Sequence, residues 1–255
     1  MKFTRIAAVA ASVYVFAGAA VYSFRPLTGR AFIAFGDTLP VIASVFAFVC
    51  TLLAASRFEP RESQRLAWGF LGFGLFLWFL GEASWWLIEV ALGQEVPFPS
   101  IADAFWLLGY IPLFMGFFIN WRQFGIKARL SLVGPWLMVL AVIIVASFVF
   151  ILWPVITAKI APVEKFLDLA YPLADDIILG TAFFTLATLR FGLLNRPWII
   201  IVLGFMFLTV ADLVFSYLTI LDVYQTGNPI DLFWVAGYLV VGVGAVYQTE
   251  LNRLF

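Results

Sequence analysis

The stretch Trp136–Trp153, WLMVLAVIIVASFVFILW, decides the fold class of this chain. Its 18 residues include no charged side chain and a single hydroxyl, that of Ser147. An α-helix needs about 20 mostly apolar residues to cross the hydrocarbon core of a bilayer. The stretch therefore predicts a transmembrane helix, which we place at residues 132–153.

Seven further apolar runs of similar length flank this one, separated by Pro, Gly and charged residues. The predicted helices are 6–24, 38–56, 67–91, 101–120, 132–153, 166–189, 198–221 and 230–249. The composition agrees, since 64% of the 255 residues are hydrophobic and 12% are charged, against about a quarter charged in soluble domains. We expect an all-α, polytopic membrane helical bundle of eight transmembrane helices, forming a single membrane domain over residues 1–255. Lys2 and Arg5 before the first run also fit a signal peptide, but the repeat described below favours a retained helix.

Residue types that are missing exclude several kinds of chemistry. The chain has no histidine, which removes histidine-ligated metals, bis-histidine haem and Ser-His-Asp catalysis. Its single cysteine, Cys50, cannot form a disulfide framework or a two-cysteine redox pair. We expect no cofactor, and whether a metal binds stays open. No basic patch points to nucleic acid, and the lipid bilayer is the expected partner.

The Lys and Arg residues predict the orientation, because they accumulate in cytoplasmic loops. Eleven lie on the side of the N-terminus: Lys2, Arg5, Arg57, Arg61, Arg65, Arg122, Lys127, Arg129, Arg190, Arg196 and Arg253. Four lie on the other side: Arg25, Arg30, Lys159 and Lys165. This asymmetry predicts a multi-pass protein of the plasma membrane with both termini in the cytoplasm, as an even number of helices requires.

The two halves of the chain resemble each other. DAFWLLGY at 103–110 matches DLFWVAGY at 231–238, and Glu82 corresponds to Asp212 within a second matching stretch. Pro40 and Pro172 fall in corresponding helices, and the offset stays between 128 and 132 residues. We therefore predict an internal repeat of 1–125 and 126–255, with four helices per unit and a parallel orientation.

Four acidic residues lie deep in predicted helices: Glu82, Asp175, Asp176 and Asp212. An acid at that depth costs about 2.5–3.5 kcal/mol to insert, and no Lys or Arg lies at a similar depth. One interpretation is an outward-facing acidic and aromatic ligand site. The other is that the carboxyls join helices through hydrogen bonds. The predicted ligand-binding residues are Glu82, Asp175, Asp176, Asp212, Tyr171, Trp85, Trp106, Trp234, Asp103 and Asp231.

Asp103 and Asp231 also have a structural explanation. Ser100 and Asp103 have the spacing of a capping box, and Asn228 and Asp231 repeat it. Each aspartate is followed on one helix face by a Trp and a Tyr, at i+3 and i+7. Those aromatic residues fit either interfacial anchors or the wall of a site inside the bundle.

These motifs, from SIADAFWLLGY through YPLAD at 171–175 to DLFWVAGY, resemble the multi-helix N-terminal membrane regions of bacterial GGDEF/EAL and histidine-kinase signalling proteins. The resemblance covers the chain from about residue 66 onward and implies a sensory input role. We expect no output domain after the last helix, so such a sensor would signal through a cytoplasmic or membrane signalling partner. Two alternatives stay open: a transporter for a cation or small polar solute, and a carboxylate-based lipid-processing enzyme. A role without catalysis is favoured over an enzymatic one.

Overall fold

The computed structural model describes residues 1–124, 130–188 and 196–253. Over these ranges the chain is helical and contains no strand. The helices are α1 (Lys2–Phe24), α2 (Arg30–Ala55), α3 (Ser63–Trp86), α4 (Ile101–Phe124), α5 (Leu130–Ser147), α6 (Pro162–Thr188), α7 (Arg196–Ile220) and α8 (Asp231–Leu251). The predicted loop cations Lys127, Arg129 and Arg190 lie outside the described residues.

Two of the helices continue into a π-helical segment, whose turns are wider than those of an α-helix. A π-helical segment, Leu87–Ala91, extends α3, and another, Phe148–Leu152, joins α5 to a short helix at Trp153–Thr157. The main departure from the sequence prediction is α2, which begins at Arg30 instead of residue 38. Its first two turns include the charged residues Arg30 and Asp37, so the helix extends beyond the stretch that hydropathy predicts.

In the part of the chain that the structure describes, eight helical segments are long and apolar enough to cross a membrane. The predicted fold class, an all-α polytopic bundle, is confirmed. Large apolar side chains such as Phe16, Met138 and Val142 are exposed on the outer helices, as a lipid-facing surface requires.

Six helices close into a ring. Neighbouring contacts run from α2 to α3, α4, α6, α7, α8 and back to α2. The remaining two helices lie outside the ring, α1 against α8 and α5 against α6. The most apolar windows of α1 and α5 are accordingly the least buried, at 11% and 22%, compared with 61% for α8.

Aromatic side chains fill the interior of the ring. Trp68 of α3 and Trp198 of α7 lie with ring centroids 4.9 Å apart, and both are almost fully buried. Phe117 of α4 packs at 5.0 Å on Phe205 of α7. These contacts join the two halves of the chain across the ring, and burial of aromatic rings of this size dominates the packing energy of such a core.

The helix pairs α3–α4 and α7–α8 pack through glycines at matching positions. A Cβ at Gly74 would lie 2.9 Å from the carbonyl oxygen of Gly109, and one at Gly204 would lie 2.8 Å from that of Gly237. Small residues at such crossings let helix backbones approach closely in membranes. The outer helices differ, because α1 contacts α8 whereas α5 contacts α6. The four-plus-four repeat as a whole stays a prediction.

The two ends of the ring are chemically different. At the end that we call proximal, Glu250 of α8 accepts hydrogen bonds from the backbone N–H groups of Phe3 and Thr4, both at 2.9 Å. Its carboxylate also lies 3.3 Å from the N-terminal ammonium of Met1, the one ion pair within residues 1–124, 130–188 and 196–253. At the opposite, distal end are the starts of α4, α6 and α8 and the π-helical end of α3.

Candidate functional site

Three carboxyl groups meet inside the ring, below its distal end. Glu82 comes from α3, Asp175 from α6 and Asp212 from α7, and Asp212 interacts electrostatically with both of the others. We call these three residues the carboxyl centre. Glu82 is nine residues from the distal end of its helical segment at Ala91, or roughly 14 Å at 1.5 Å per residue. The predicted common layer stays a prediction; the electrostatic interactions show that Asp212 lies near both Glu82 and Asp175.

Each of the three carboxyls accepts one hydrogen bond from an aromatic side chain of another helix. Tyr238 donates to Glu82, Trp234 donates to Asp212, and Tyr110 donates to Asp175, each at 2.8 Å. The donors lie on α8 and α4, so five of the six ring helices contribute to the centre. The hydrogen-bonding interpretation of these acids is therefore correct as far as one oxygen of each carboxyl is concerned.

The second oxygen of each carboxyl group determines what else the carboxyl centre can bind. Asp175 is 2% exposed, and its Oδ2 has no hydrogen-bond partner. Glu82 and Asp212 stay partly accessible despite their depth. No Lys or Arg pairs with them, since the described distal cations bind elsewhere: Arg25 lies over the Phe32 ring and Lys165 donates to backbone carbonyls. The centre is an acceptor-rich region without a matching positive charge.

Indole rings form walls beside the carboxyl centre. Trp106 packs directly on Gly81, where a Cβ would lie 2.4 Å from the indole nitrogen, and this contact places the ring next to Glu82. Trp85 and Trp106 have ring centroids 5.9 Å apart. On the other side Trp234 lies 5.5 Å from Phe215. Aromatic rings beside carboxylates stabilise a bound organic cation.

The two capping aspartates do more than end their helices. Asp103 Oδ2 accepts from the backbone N–H of Ser100 at 2.6 Å and from its hydroxyl at 3.0 Å, which confirms the predicted capping box. Its Oδ1 accepts from Tyr171 of α6 at 2.8 Å. Asp103 is 6% exposed, so it is a buried link between α4 and α6 as well as a cap.

Asp231 repeats this arrangement with a different partner. Its Oδ2 accepts from the backbone N–H of Gly227 at 2.8 Å, one residue earlier than the predicted cap at Asn228. Its Oδ1 accepts from Tyr224 in the loop before α8 at 3.0 Å. Burial and the nearby Asp231 raise the pKa of Tyr224, so this phenol stays protonated and donates.

The structure resolves which way the predicted aromatic stripes face. Tyr110 and Tyr238 are 8% and 2% exposed, and Trp106 and Trp234 pack against the same core. They point into the ring and are not interfacial anchors. The burial of the two tyrosines is what allows them to reach the acids of α6 and α3.

One predicted residue lies apart from the others. Asp176 follows Asp175 on α6, but the helical rotation turns it away from the carboxyl centre toward Ser147 of α5. Its Oδ1 is buried without a hydrogen-bond partner. Asp176 lies at the α5–α6 contact and still influences Asp175 electrostatically, so its place in the predicted site stays a prediction.

Sequence reasoning missed two acids. Asp37 was placed one residue before its predicted helix, and Glu89 was not distinguished from an ordinary helix end. In the structure they lie side by side, joining α2 to the π-helical end of α3. The signal that was available is the same as for Glu82: an acid within one or two turns of an apolar run.

Comparison with known proteins identifies no relative: no family model, no curated protein and no solved structure matches this chain.

Proposed function

We propose that this chain is a receptor-like membrane module that binds an organic cation at the carboxyl centre. The observation that carries this proposal is the convergence of Glu82, Asp175 and Asp212 without a Lys or Arg to neutralise them. A buried acid in the membrane marks a ligand or ion path by default, because its insertion is costly and is retained only for a use. A bound cation would supply the positive charge that the centre lacks.

The chemistry of the walls favours a quaternary or similarly bulky ammonium group. Aromatic rings beside carboxylates attract such cations through the ring quadrupole and through charge, and they need no N–H donor from the ligand. Trp85, Trp106 and Trp234 are the rings in position to do this. Trp234 at the same time donates to Asp212, so a ligand that contacts this indole also contacts the acid.

A sensory role is the use that the sequence favours. The motifs at 99–110, 171–175 and 231–238 resemble membrane input regions of signalling proteins. Residues of these motifs take part in the network described above, among them Asp103, Tyr110, Tyr171, Asp175, Asp231, Trp234 and Tyr238. In this role the ligand shifts the ring between two packings, and a cytoplasmic or membrane partner detects the shift. Co-purification with a signalling protein would support this assignment.

Binding of choline tests the site. We expect the full chain in lipid nanodiscs to bind choline saturably in isothermal titration calorimetry, and the Glu82→Gln/Asp212→Asn variant to bind at least tenfold more weakly. Glu95→Gln, an exposed loop acid outside the ring, serves as the matched control and should bind like wild type. Equal affinity in the double variant and wild type would remove the carboxyl centre as the site.

Transport and lipid processing are the competing roles. The paired packing of α3–α4 and α7–α8 is what a transporter with a parallel repeat would show, and we propose the repeat of 1–125 and 126–255 on the same support. Uptake of labelled choline into proteoliposomes, abolished in the double variant, would replace the receptor by a transporter. Lipid turnover that depends on the same two acids would replace it by an enzyme.

We also propose that the proximal end faces the cytoplasm of a plasma-membrane protein. Eleven of the fifteen Lys and Arg residues belong to that side. In a Cys50→Ala background, a cysteine at exposed Gln94 should react with a membrane-impermeant maleimide applied to intact cells. A cysteine at exposed Glu59 should react only after permeabilisation, and the reverse pattern would invert the topology.

A further inference from the structure

A second pair of acids lies outside the carboxyl centre, toward α1 and α2. Asp37 of α2 and Glu89 of the π-helical end of α3 are close enough for a hydrogen bond between their carboxyl groups. Two ionised carboxylates have no proton to donate, so such a pair needs a shared proton or a cation between them. We call Asp37 and Glu89 the α2–α3 pair.

The two acids of the pair differ in how well their carboxyl oxygens are hydrogen-bonded. Glu89 accepts a hydrogen bond from Trp85 at 2.6 Å, and the hydroxyl of Thr226 lies 3.3 Å from its Oε1. Asp37 is 7% exposed, and its Oδ2 has no hydrogen-bond partner. A buried carboxylate oxygen without a donor costs free energy, and this one lies directly beside a second acid.

A buried hydroxyl next to Asp37 is also without a partner. Tyr22 of α1 is 8% exposed, its OH has no hydrogen bond, and it lies 3.1 Å from where a Cβ of Gly36 would be. The site thus combines unused acceptors from α1 and α2 with the acid of α3. Asp231 of α8, which also influences Asp37, is already held by Tyr224 and Gly227.

A groove on the distal surface reaches Glu89 of this pair. It has a volume of about 430 Å³, and Arg30, Ala34 and Glu89 are among its lining residues. Asp37 does not line the groove, but it follows Arg30 and Ala34 on the same face of α2, at i, i+4 and i+7, about one turn beyond Ala34. Glu89 lies both in the groove lining and beside Asp37.

We propose that the α2–α3 pair is a second binding site, and that its ligand is a small primary ammonium ion that enters along this groove. The ammonium group donates N–H bonds to Asp37 Oδ2, to Glu89 and to the Tyr22 oxygen. Its positive charge stands in for the proton or cation that the pair lacks. This site is separate from the carboxyl centre, although Glu82 lies near both.

The donor set distinguishes this ligand from other cations. A quaternary ammonium has no N–H to offer Asp37 Oδ2, so it would leave the unused oxygen unsatisfied. A divalent metal would need more ligands, and among the described residues no group of three or more acidic or thiol side chains is arranged to hold one. The three N–H groups of a primary ammonium match the three acceptors, and its charge is opposite in sign to that of the two acids.

The test uses methylammonium as the probe and the full chain in lipid nanodiscs. We expect saturable binding of methylammonium by calorimetry, weakened at least tenfold in Asp37→Asn and in Glu89→Gln. Tetramethylammonium should not compete at this site. Asp222→Asn, at an exposed loop acid outside both sites, should leave methylammonium binding unchanged. Asp212→Asn reports on the carboxyl centre in the same assay.

A third variant keeps the test decisive if a charge change disturbs folding. Tyr22→Phe removes a hydroxyl that has no protein partner, so it should fold normally and still weaken methylammonium binding. The proposal is overturned if wild type does not bind methylammonium, if Asp37→Asn binds it as tightly as wild type, or if only Asp212→Asn loses it. That last result would assign the ammonium ion to the carboxyl centre.

Discussion

At the scale of single residues, the buried acids in the described part of the chain accept hydrogen bonds from aromatic donors, and none of them pairs with a Lys or Arg side chain. Tyr110, Tyr171, Tyr238 and Trp234 each donate to one carboxyl oxygen of another helix or turn. One carboxyl oxygen of each acid is thereby fixed in place. The second oxygen of Asp103 is bonded to Ser100, whereas that of Asp175 has no partner. The same residues therefore support the fold and shape the proposed site.

The Tyr110–Asp175 bond should make a measurable contribution to stability. Interhelical hydrogen bonds in membrane proteins average about 0.6 kcal/mol and reach about 1.7 kcal/mol. Tyr110→Phe leaves Asp175 without any hydrogen bond from a described side chain, so we expect a loss toward the upper value. The free energy of unfolding measures this loss. Tyr217→Phe, at an exposed tyrosine, is the matched control and should leave the free energy of unfolding unchanged. Equal stability of wild type and Tyr110→Phe would mean that this bond does not hold α4 to α6.

At the scale of helices, close glycine contacts set the two pairs α3–α4 and α7–α8. Gly74→Ala would bring a methyl group within 2.9 Å of a backbone carbonyl oxygen, and Gly204→Ala would do the same at 2.8 Å. Backbone atoms cannot move aside as a flexible side chain can. Each substitution should therefore lower the free energy of unfolding by about 1–3 kcal/mol.

Gly69→Ala is the matched control on α3, because nothing lies within 4 Å of its Cβ position. It should be neutral or stabilising by up to about 1 kcal/mol, since alanine is the better helix former. Similar losses for Gly74→Ala and Gly204→Ala would support the repeat. A loss at one position and none at the other would show that the two pairs are not equivalent in energy.

The helices and the depth of the acids were predictable, but the pairings were not. Counting apolar residues along the chain placed Glu82, Asp175 and Asp212 in one layer, because depth follows from position within a helix. The hydrogen-bond partners of these acids depend on which helices are in contact. The sequences of α4 and α6 do not show that these two helices pack against each other. Asp37 was missed because the predicted helix begins at residue 38, whereas α2 begins at Arg30 and already includes the apolar residues 31–36.

At the scale of the whole molecule, a six-helix ring encloses three carboxyl groups below its distal end. Above the aromatic core formed by Trp68, Trp198, Phe117 and Phe205, the acids replace apolar packing and so weaken the bundle where they lie. Such a group of acids is expected if binding requires it, since sites that bind ligands are commonly held at a cost in stability. The central claim is therefore that the carboxyl centre exists for a ligand.

Thermal unfolding of wild type and Glu82→Gln/Asp212→Asn, each with and without choline, tests this claim most directly. The amides keep a carbonyl oxygen for Tyr238 and Trp234, while an NH2 group replaces the second oxygen and the charge is removed. We predict that the double variant unfolds at the same or a higher temperature than wild type, and that choline raises the unfolding temperature of wild type alone. A clearly less stable double variant, with neither protein responding to choline, would show that the acids serve to join helices and would contradict the account.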